Sequence, residues 1–310
     1  MANRISRRHF LGGLATVSLV SQMPVLGIAS QHQRSEPITR PIPGSGEQLP
    51  VIGMGTWRTF NVGRDEKLLT QRAQVLKTFF EYQGTVIDSS PMYGTAELAL
   101  GKALSKLGRD DELFAATKIW TSDTEEGVKQ AKESRQLWGV ERFDLLQVHN
   151  LVNWQAHLET LKTMKERGEV RYIGITTSHG RRLQEFEDIM EREPLDFVQL
   201  TYNVLDRWAE ERLLPLAQER GIAVIANRPF QGGRLFDRFQ GQPLPSWAGD
   251  AGCENWAEYF LKFIVSHPAV TCAIPATTQV EHMQENMGAQ FGALPDPGQR
   301  SEMIRYLEEL

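Results

Sequence analysis

The sequence predicts a (β/α)8 TIM barrel, opened by an N-terminal hairpin and followed by a C-terminal helical tail. Three observations predict it. Eight short apolar runs alternate with eight longer segments whose apolar residues recur every three or four positions. The runs are apolar on both faces, as strands buried in a parallel sheet are. Several helical segments stop at a glycine (Gly84, Gly108, Gly139, Gly168 and Gly221), where a left-handed cap suits a residue without Cβ. Eight such units in about 240 residues fit a closed barrel. An open dinucleotide-binding sheet is the weaker alternative. It wants Gly-x-Gly-x-x-Gly after the first strand, whereas Gly53 and Gly55 run on into Thr56-Trp57-Arg58.

The elements follow in order. Residues 1–29 read as a leader. Arg4 and Arg7-Arg8 precede a weakly apolar stretch from Leu11 to Ile28, which ends in small residues at Gly27 and Ala29. Paired arginines before Phe10-Leu11 resemble a twin-arginine export signal. Gly12, Gly13 and Pro24 interrupt the stretch and make it a poor membrane span. The expected partner is the twin-arginine export machinery, with a periplasmic or other extracytoplasmic location; the location is cytoplasmic if the signal is not used. No stable membrane span remains after cleavage. Residues 30–310 form one barrel domain. Residues 31–48 are a polar linker and a hairpin turning at Pro43-Gly44-Ser45-Gly46.

Strands are expected at 51–55, 85–88, 113–118, 143–148, 171–175, 197–202, 222–226 and 270–274. Helices are expected at 66–82, 96–107, 123–138, 154–167, 181–191, 209–219, 255–266 and 280–288. The Gly- and Pro-rich segment 230–253 reads as a long loop shaping the site, and 295–310 as the helical tail.

Composition excludes several classes. The chain has 310 residues, 41% of them hydrophobic and 24% charged, which is ordinary globular usage. A net charge of −5 without a basic run argues against nucleic acid as a partner. Cys253 and Cys272 form no Cys-x-x-Cys pair; they are either two buried thiols or one disulfide. His149 is the only histidine directly closing a strand, and there is no His-x-His, so no metal site is expected.

In a (β/α)8 barrel, chemistry sits at the C-terminal ends of the strands. Asp88 closes the second strand, Lys118 the third, and His149 follows the fourth; Tyr93 lies in the loop after Asp88. Each alone has an ordinary structural explanation. Together they are an expensive set to bury without a purpose. Asp88-x-x-x-x-Tyr93, Thr117-Lys118 and Val148-His149 resemble the catalytic tetrad of the aldo-keto reductases. Arg40 to Trp57, Ile173-Gly174-Ile175, Gln199 with Asn203, and Ile274-Pro275 followed by Glu285-Asn286 are similar to further family segments. The resemblance spans about residues 38–292.

It implies reduction of an aldehyde or ketone by NAD(P)H. Tyr93 would be the general acid, with its pKa lowered by Lys118. Asp88 would hold Lys118, and His149 would donate a hydrogen bond to the carbonyl oxygen. Trp57 and Trp120, with Tyr93 and His149, would wall the pocket of a small-molecule carbonyl substrate. Cofactor contacts are implied at Gly55, Thr56, Trp57, Asp88, Thr176, Thr177, Gln199, Asn227, Arg228, Pro229, Gly233, Leu235, Thr277, Thr278, His282, Glu285 and Asn286. Two family features are altered. Thr176-Thr177 stands where Ser-Asn is usual, and Asn227-Arg228-Pro229-Phe230 lacks the usual stacking tyrosine; Arg228 could stack in its place or form an ion pair. Ala276 and His282 occupy places where relatives preferring the 2′-phosphorylated cofactor carry Lys and Arg, which implies weak discrimination or a preference for NAD(H). Those altered contacts also leave room for an exported, slow-turnover cofactor-binding barrel acting as a sensor or accessory.

Overall fold

The computed structural model describes residues 36–108 and 113–310. The expected leader, 1–29, lies outside the described residues. The barrel strands are β3 (Met54–Gly55), β4 (Val86–Asp88), β5 (Phe114–Ile119), β6 (Phe143–Val148), β7 (Val170–Thr176), β8 (Phe197–Thr201), β9 (Ala223–Asn227) and β10 (Cys272–Ala273). Each pairs in parallel with the next in chain order. The helices between them are α1 (Glu66–Glu81), α2 (Ala96–Leu107), α3 (Thr124–Trp138), α4 (Trp154–Glu166), α5 (Leu183–Arg192), α6 (Leu213–Arg220), α7 (Arg234–Arg238), α8 (Trp256–Val265) and α9 (Val280–Gly288); α10 (Pro297–Glu309) is the tail.

The seam between first and last strand closes by single contacts. Gly53 N–H donates to the Ala273 carbonyl at 2.8 Å, Ala273 N–H to Val51 at 2.9 Å, and Gly55 N–H to Pro275 at 2.8 Å. A Cβ on Gly53 would stand 2.8 Å from the Val86 carbonyl, so glycine permits the close approach. The two seam strands are therefore shorter than the expected 51–55 and 270–274. Their ladder stops at Pro275, which has no N–H to give.

A hairpin precedes the barrel, β1 (Thr39–Pro41) pairing antiparallel with β2 (Gln48–Pro50) around the expected turn. Its Ile42 and Leu49, 1% and 2% exposed, join Val86, Phe114, Phe197 and Ala223 in one buried cluster. Those four begin their strands, so the hairpin plugs the N-terminal floor. Burying the two side chains contributes roughly 1.5–3 kcal/mol each. A second, larger cluster of buried apolar residues joins the strands to the helices around them.

Two expected elements differ. The helix expected at 209–219 is a 3-10 turn (Trp208–Glu210) followed by α6. Pro215 fits only the first turn, where its missing N–H is not needed, so α6 starts two residues before it. The segment expected as a loop, 230–253, contains α7. Phe236 and Phe239 lie 5.7 and 6.0 Å from the Phe260 ring of α8, and Phe239 stacks on Trp256 at 5.6 Å. Aromatic packing holds a segment whose Gly and Pro content suggests a loose cover. Cys253 and Cys272 are both buried free thiols, which settles the pairing left open by the sequence.

Candidate active site

Asp88, Tyr93, Lys118 and His149 converge at the C-terminal mouth. Asp88 ends β4, and Lys118 lies near the end of β5. Tyr93 ends a 3-10 turn, Pro91–Tyr93, that follows Asp88. His149 opens a turn after β6 in which Asn150 and Leu151 take left-handed backbone (φ 51° and 57°). Non-glycine residues hold that conformation only when their surroundings enforce it. Here the Asn150 N–H donates to the Thr176 hydroxyl at 3.0 Å.

Lys118 is fully buried, and its ammonium has three donors to satisfy. One goes to Asp88 Oδ2 at 2.5 Å and one to the Ser89 carbonyl at 2.8 Å. The Tyr93 ring lies beside it, its centroid 5.2 Å from the ammonium. Asp88 Oδ1 accepts from Gln199 Nε2 at 2.9 Å and from Gln147 Nε2 at 3.3 Å. The Thr56 hydroxyl donates to the Asp88 carbonyl at 3.0 Å. A buried ion pair needs such supporting hydrogen bonds. Neither Gln147 nor Ser89 stood out in the sequence. An uncharged residue in an apolar run carries no obvious signal, although Gln147 sits two positions before His149.

Burial works against the Lys118 ammonium, but Asp88 and Tyr93 outweigh it and hold its pKa above the ordinary value. The Tyr93 phenol corrects an expectation. Burial raises its pKa, Lys118 opposes, Asp88 adds to the rise, and the net direction is upward. The phenol is thus protonated at rest. Lys118 still favours the phenolate, so its pull grows in use as a proton leaves. The His149 ring meets the Tyr93 ring edge-on at 5.8 Å.

Burial, and then the Lys118 charge, push His149 down to about 3. Its imidazole is neutral across the working range. The unfolded chain has the ordinary value near 6.5, so between pH 6.5 and 3 the unfolded state binds the extra proton and stability falls as pH drops. From pH 7 to 5 the wild type is expected to lose about 2 kcal/mol more unfolding free energy than His149→Gln. Denaturant titration of both proteins checks this; equal losses refute a buried neutral His149.

The implied cofactor residues fall into groups. Thr177 donates its hydroxyl to the Arg181 carbonyl at 2.7 Å, and its own carbonyl accepts from Asn227 Nδ2 at 3.0 Å. With Gln199 on Asp88, these residues adjoin the cluster. Trp57 is half-buried with the Arg58 guanidinium 4.2 Å over its ring. Trp120 is 44% exposed at the rim, its backbone clamped by Gln130 at 2.9 and 3.0 Å. Arg228 takes left-handed backbone (φ 53°); burial and Arg234 lower its pKa while Asp206 opposes. Pro229 and the Leu235 side chain are buried, and the Leu235 N–H turns to the Phe230 carbonyl at 3.4 Å, so Leu235 is a core residue first. Gly233 has φ 98° with open space around it. Near the start of α9, Thr277 caps Gln279 N–H at 3.1 Å, and the Thr278 carbonyl accepts from Arg72 at 3.3 Å. His282 is exposed and Glu285 half-buried. Asn286 is 2% exposed, and its Nδ2 has no partner.

Among the described residues, no group of three or more His, Cys, Asp or Glu side chains could hold a metal ion. No helix among them is long and apolar enough to cross a membrane.

A closed parallel barrel with a buried, hydrogen-bonded ionisable cluster at its C-terminal mouth defines an α/β-barrel protein with a candidate site where such barrels carry theirs. Comparison gives the family. The model of the Aldo/keto reductase family matches residues 51–297, and the chain belongs to that family of oxidoreductases. The chain is 26% identical over 249 residues to the methylglyoxal reductase YeaE of Escherichia coli, covering 77% of this chain and 84% of that one. Among solved structures, an aldo/keto reductase from Klebsiella pneumoniae in complex with NADP and acetate superposes with a TM-score of 0.72 and 25% identity, covering 85% of this chain and 93% of that one. The holo form of AKR11C1 from Bacillus halodurans matches in fold with a TM-score of 0.72 at 21% identity, covering 88% and 96%.

Proposed function

We propose that the chain reduces an aldehyde or ketone to an alcohol with NAD(P)H, using Asp88, Tyr93, Lys118 and His149. The observation that carries this is the convergence of the four side chains: the Lys118 ammonium pairs with Asp88 at 2.5 Å and stands 5.2 Å from the Tyr93 ring, which meets His149 edge-on. The residues fit the cofactor. Asn286 offers an unpartnered buried donor on α9, and the open left-handed backbone at Gly232-Gly233 presents a cradle for a pyrophosphate. Gln199, Thr176, Thr177 and Asn227 would meet the nicotinamide end, with Gly55, Thr56 and Trp57 beside them. Arg228, Pro229, Gly233 and the Leu235 backbone would line the pyrophosphate; Thr277, Thr278, His282, Glu285 and Asn286 would hold the adenosine.

When bound, the reduced nicotinamide supplies a hydride equivalent to the carbonyl carbon. Tyr93 gives its phenolic proton to the carbonyl oxygen. Lys118 stabilises the phenolate left behind, and Asp88 keeps Lys118 in place and charged. Neutral His149 donates a hydrogen bond to the same oxygen, worth roughly 3 kcal/mol in a dry site. Trp57 and Trp120 would border the carbonyl substrate. Loss of absorbance at 340 nm with small aldehydes, including methylglyoxal, tests the reading. No turnover with any aldehyde or ketone and either cofactor defeats it.

Without Lys or Arg at positions 276 and 282, the 2′-phosphate has no cation there. NADH is therefore expected to bind at least as tightly as NADPH. Ala276→Lys with His282→Arg raises NADPH affinity about tenfold in fluorescence titration and leaves NADH unchanged. Much tighter NADPH binding by the wild type overturns this. Export of the folded barrel through the twin-arginine machinery completes the proposal. A mature N-terminus near residue 30 supports it, and retention of cytoplasmic full-length chain despite an active export system refutes it.

A further inference from the structure

His149 is gripped at its Nδ1 by an uncharged residue. Ser90 Oγ lies 2.8 Å from His149 Nδ1, and both residues are buried. Pro91 follows Ser90 and restricts it to extended backbone, observed at φ −165° and ψ 146°. Ser90 also caps the turn that carries Tyr93. Its hydroxyl accepts from Met92 N–H at 3.2 Å, and its carbonyl accepts from Tyr93 N–H at 2.9 Å.

We infer that Ser90 is a positioning residue that locks His149 in the Nε2–H tautomer, so that the imidazole presents its single N–H towards the carbonyl oxygen. The inference rests on the reductase reading above for its purpose, but not for its geometry. A neutral imidazole has one N–H and one acceptor nitrogen. If Nδ1 carried the hydrogen, Ser90 Oγ would accept from both Nδ1 and Met92, and its own O–H would be buried without an acceptor. Such an orphan costs about 1–3 kcal/mol. If Ser90 donates to Nδ1 instead, the Ser90 O–H and the Met92 N–H both have partners, and the hydrogen on Nε2 remains for a ligand. One hydroxyl thus sets the direction of the His149 donor while its backbone holds the turn of the Tyr93 acid.

The test is nitrogen-15 NMR of the histidine-labelled full chain, with His149 assigned by its loss in His149→Gln. The wild type is expected to show one neutral His149 species, protonated on Nε2, from pH 5 to 8. Ser90→Ala is expected to populate both tautomers and to lower kcat about fivefold with the KM for reduced cofactor unchanged. Ser90→Thr keeps the hydroxyl, the single tautomer and the wild-type kcat. A wild type protonated on Nδ1, or a Ser90→Ala variant that keeps one Nε2–H species, overturns the inference whatever the rates. Loss of the reductase reading appears separately, as a wild type that shows the expected tautomer and reduces no carbonyl.

Discussion

Tyr93→Phe is expected to lower kcat for carbonyl reduction about 10³-fold, the scale of removing a positioned general acid. Reduced-cofactor affinity should stay at the wild-type value, because the ring and its edge contact with His149 persist. Stability should fall by only about 1 kcal/mol, since Lys118 keeps both Asp88 and the Ser89 carbonyl. The separation of these three readouts gives the test its force. A variant that keeps more than about a tenth of kcat removes Tyr93 as the proton donor.

Lys118→Met should have the largest combined effect. It removes the ammonium that stabilises the phenolate and strands a carboxylate that is 2% exposed. Breaking one side of a buried pair costs about 3–5 kcal/mol. Gln147 and Gln199 still donate to Asp88 Oδ1, which places the expected loss at the lower end. The corresponding drop in Tm is roughly 10 °C. Adding Asp88→Asn removes the stranded charge and should recover most of the lost stability but none of the activity. Recovery of turnover in the double variant would mean that the pair serves packing alone. Additive stability losses would mean that the two side chains do not act as a unit.

Much of this arrangement is legible in the chain, for reasons that differ by element. Barrel strands announce themselves because both their faces are buried, and apolar runs of that length have few other uses. Asp88, Lys118 and His149 stand out because charge capacity directly after such a run is costly. Tyr93 is legible only through the resemblance, as aromatic residues in loops are common. What escaped detection is equally specific. The seam strands shorten because the closure between Gly53 and Ala273 is a long-range event that no local window contains. The truncation of α6 has a local signal in Pro215, which fits only the first turn of a helix. Ser90 and Gln147 carry no charge, so only their distances to His149 and Asp88 reveal them. The sequence points to a lowered Tyr93 pKa because it displays neighbouring charges but not desolvation, and desolvation is the larger influence.

The two sulfurs give the export proposal a chemical footing. Cys272 lies at the barrel seam and Cys253 is buried in the segment just before α8, where burial pushes its thiol up to about 12. A polypeptide threaded through a membrane as an open strand would carry both sulfurs, reactive and within reach of each other, into oxidising surroundings. One that completes its tertiary structure beforehand arrives with neither open to attack. Alkylating reagents should therefore modify no cysteine in the native protein and both after guanidinium treatment.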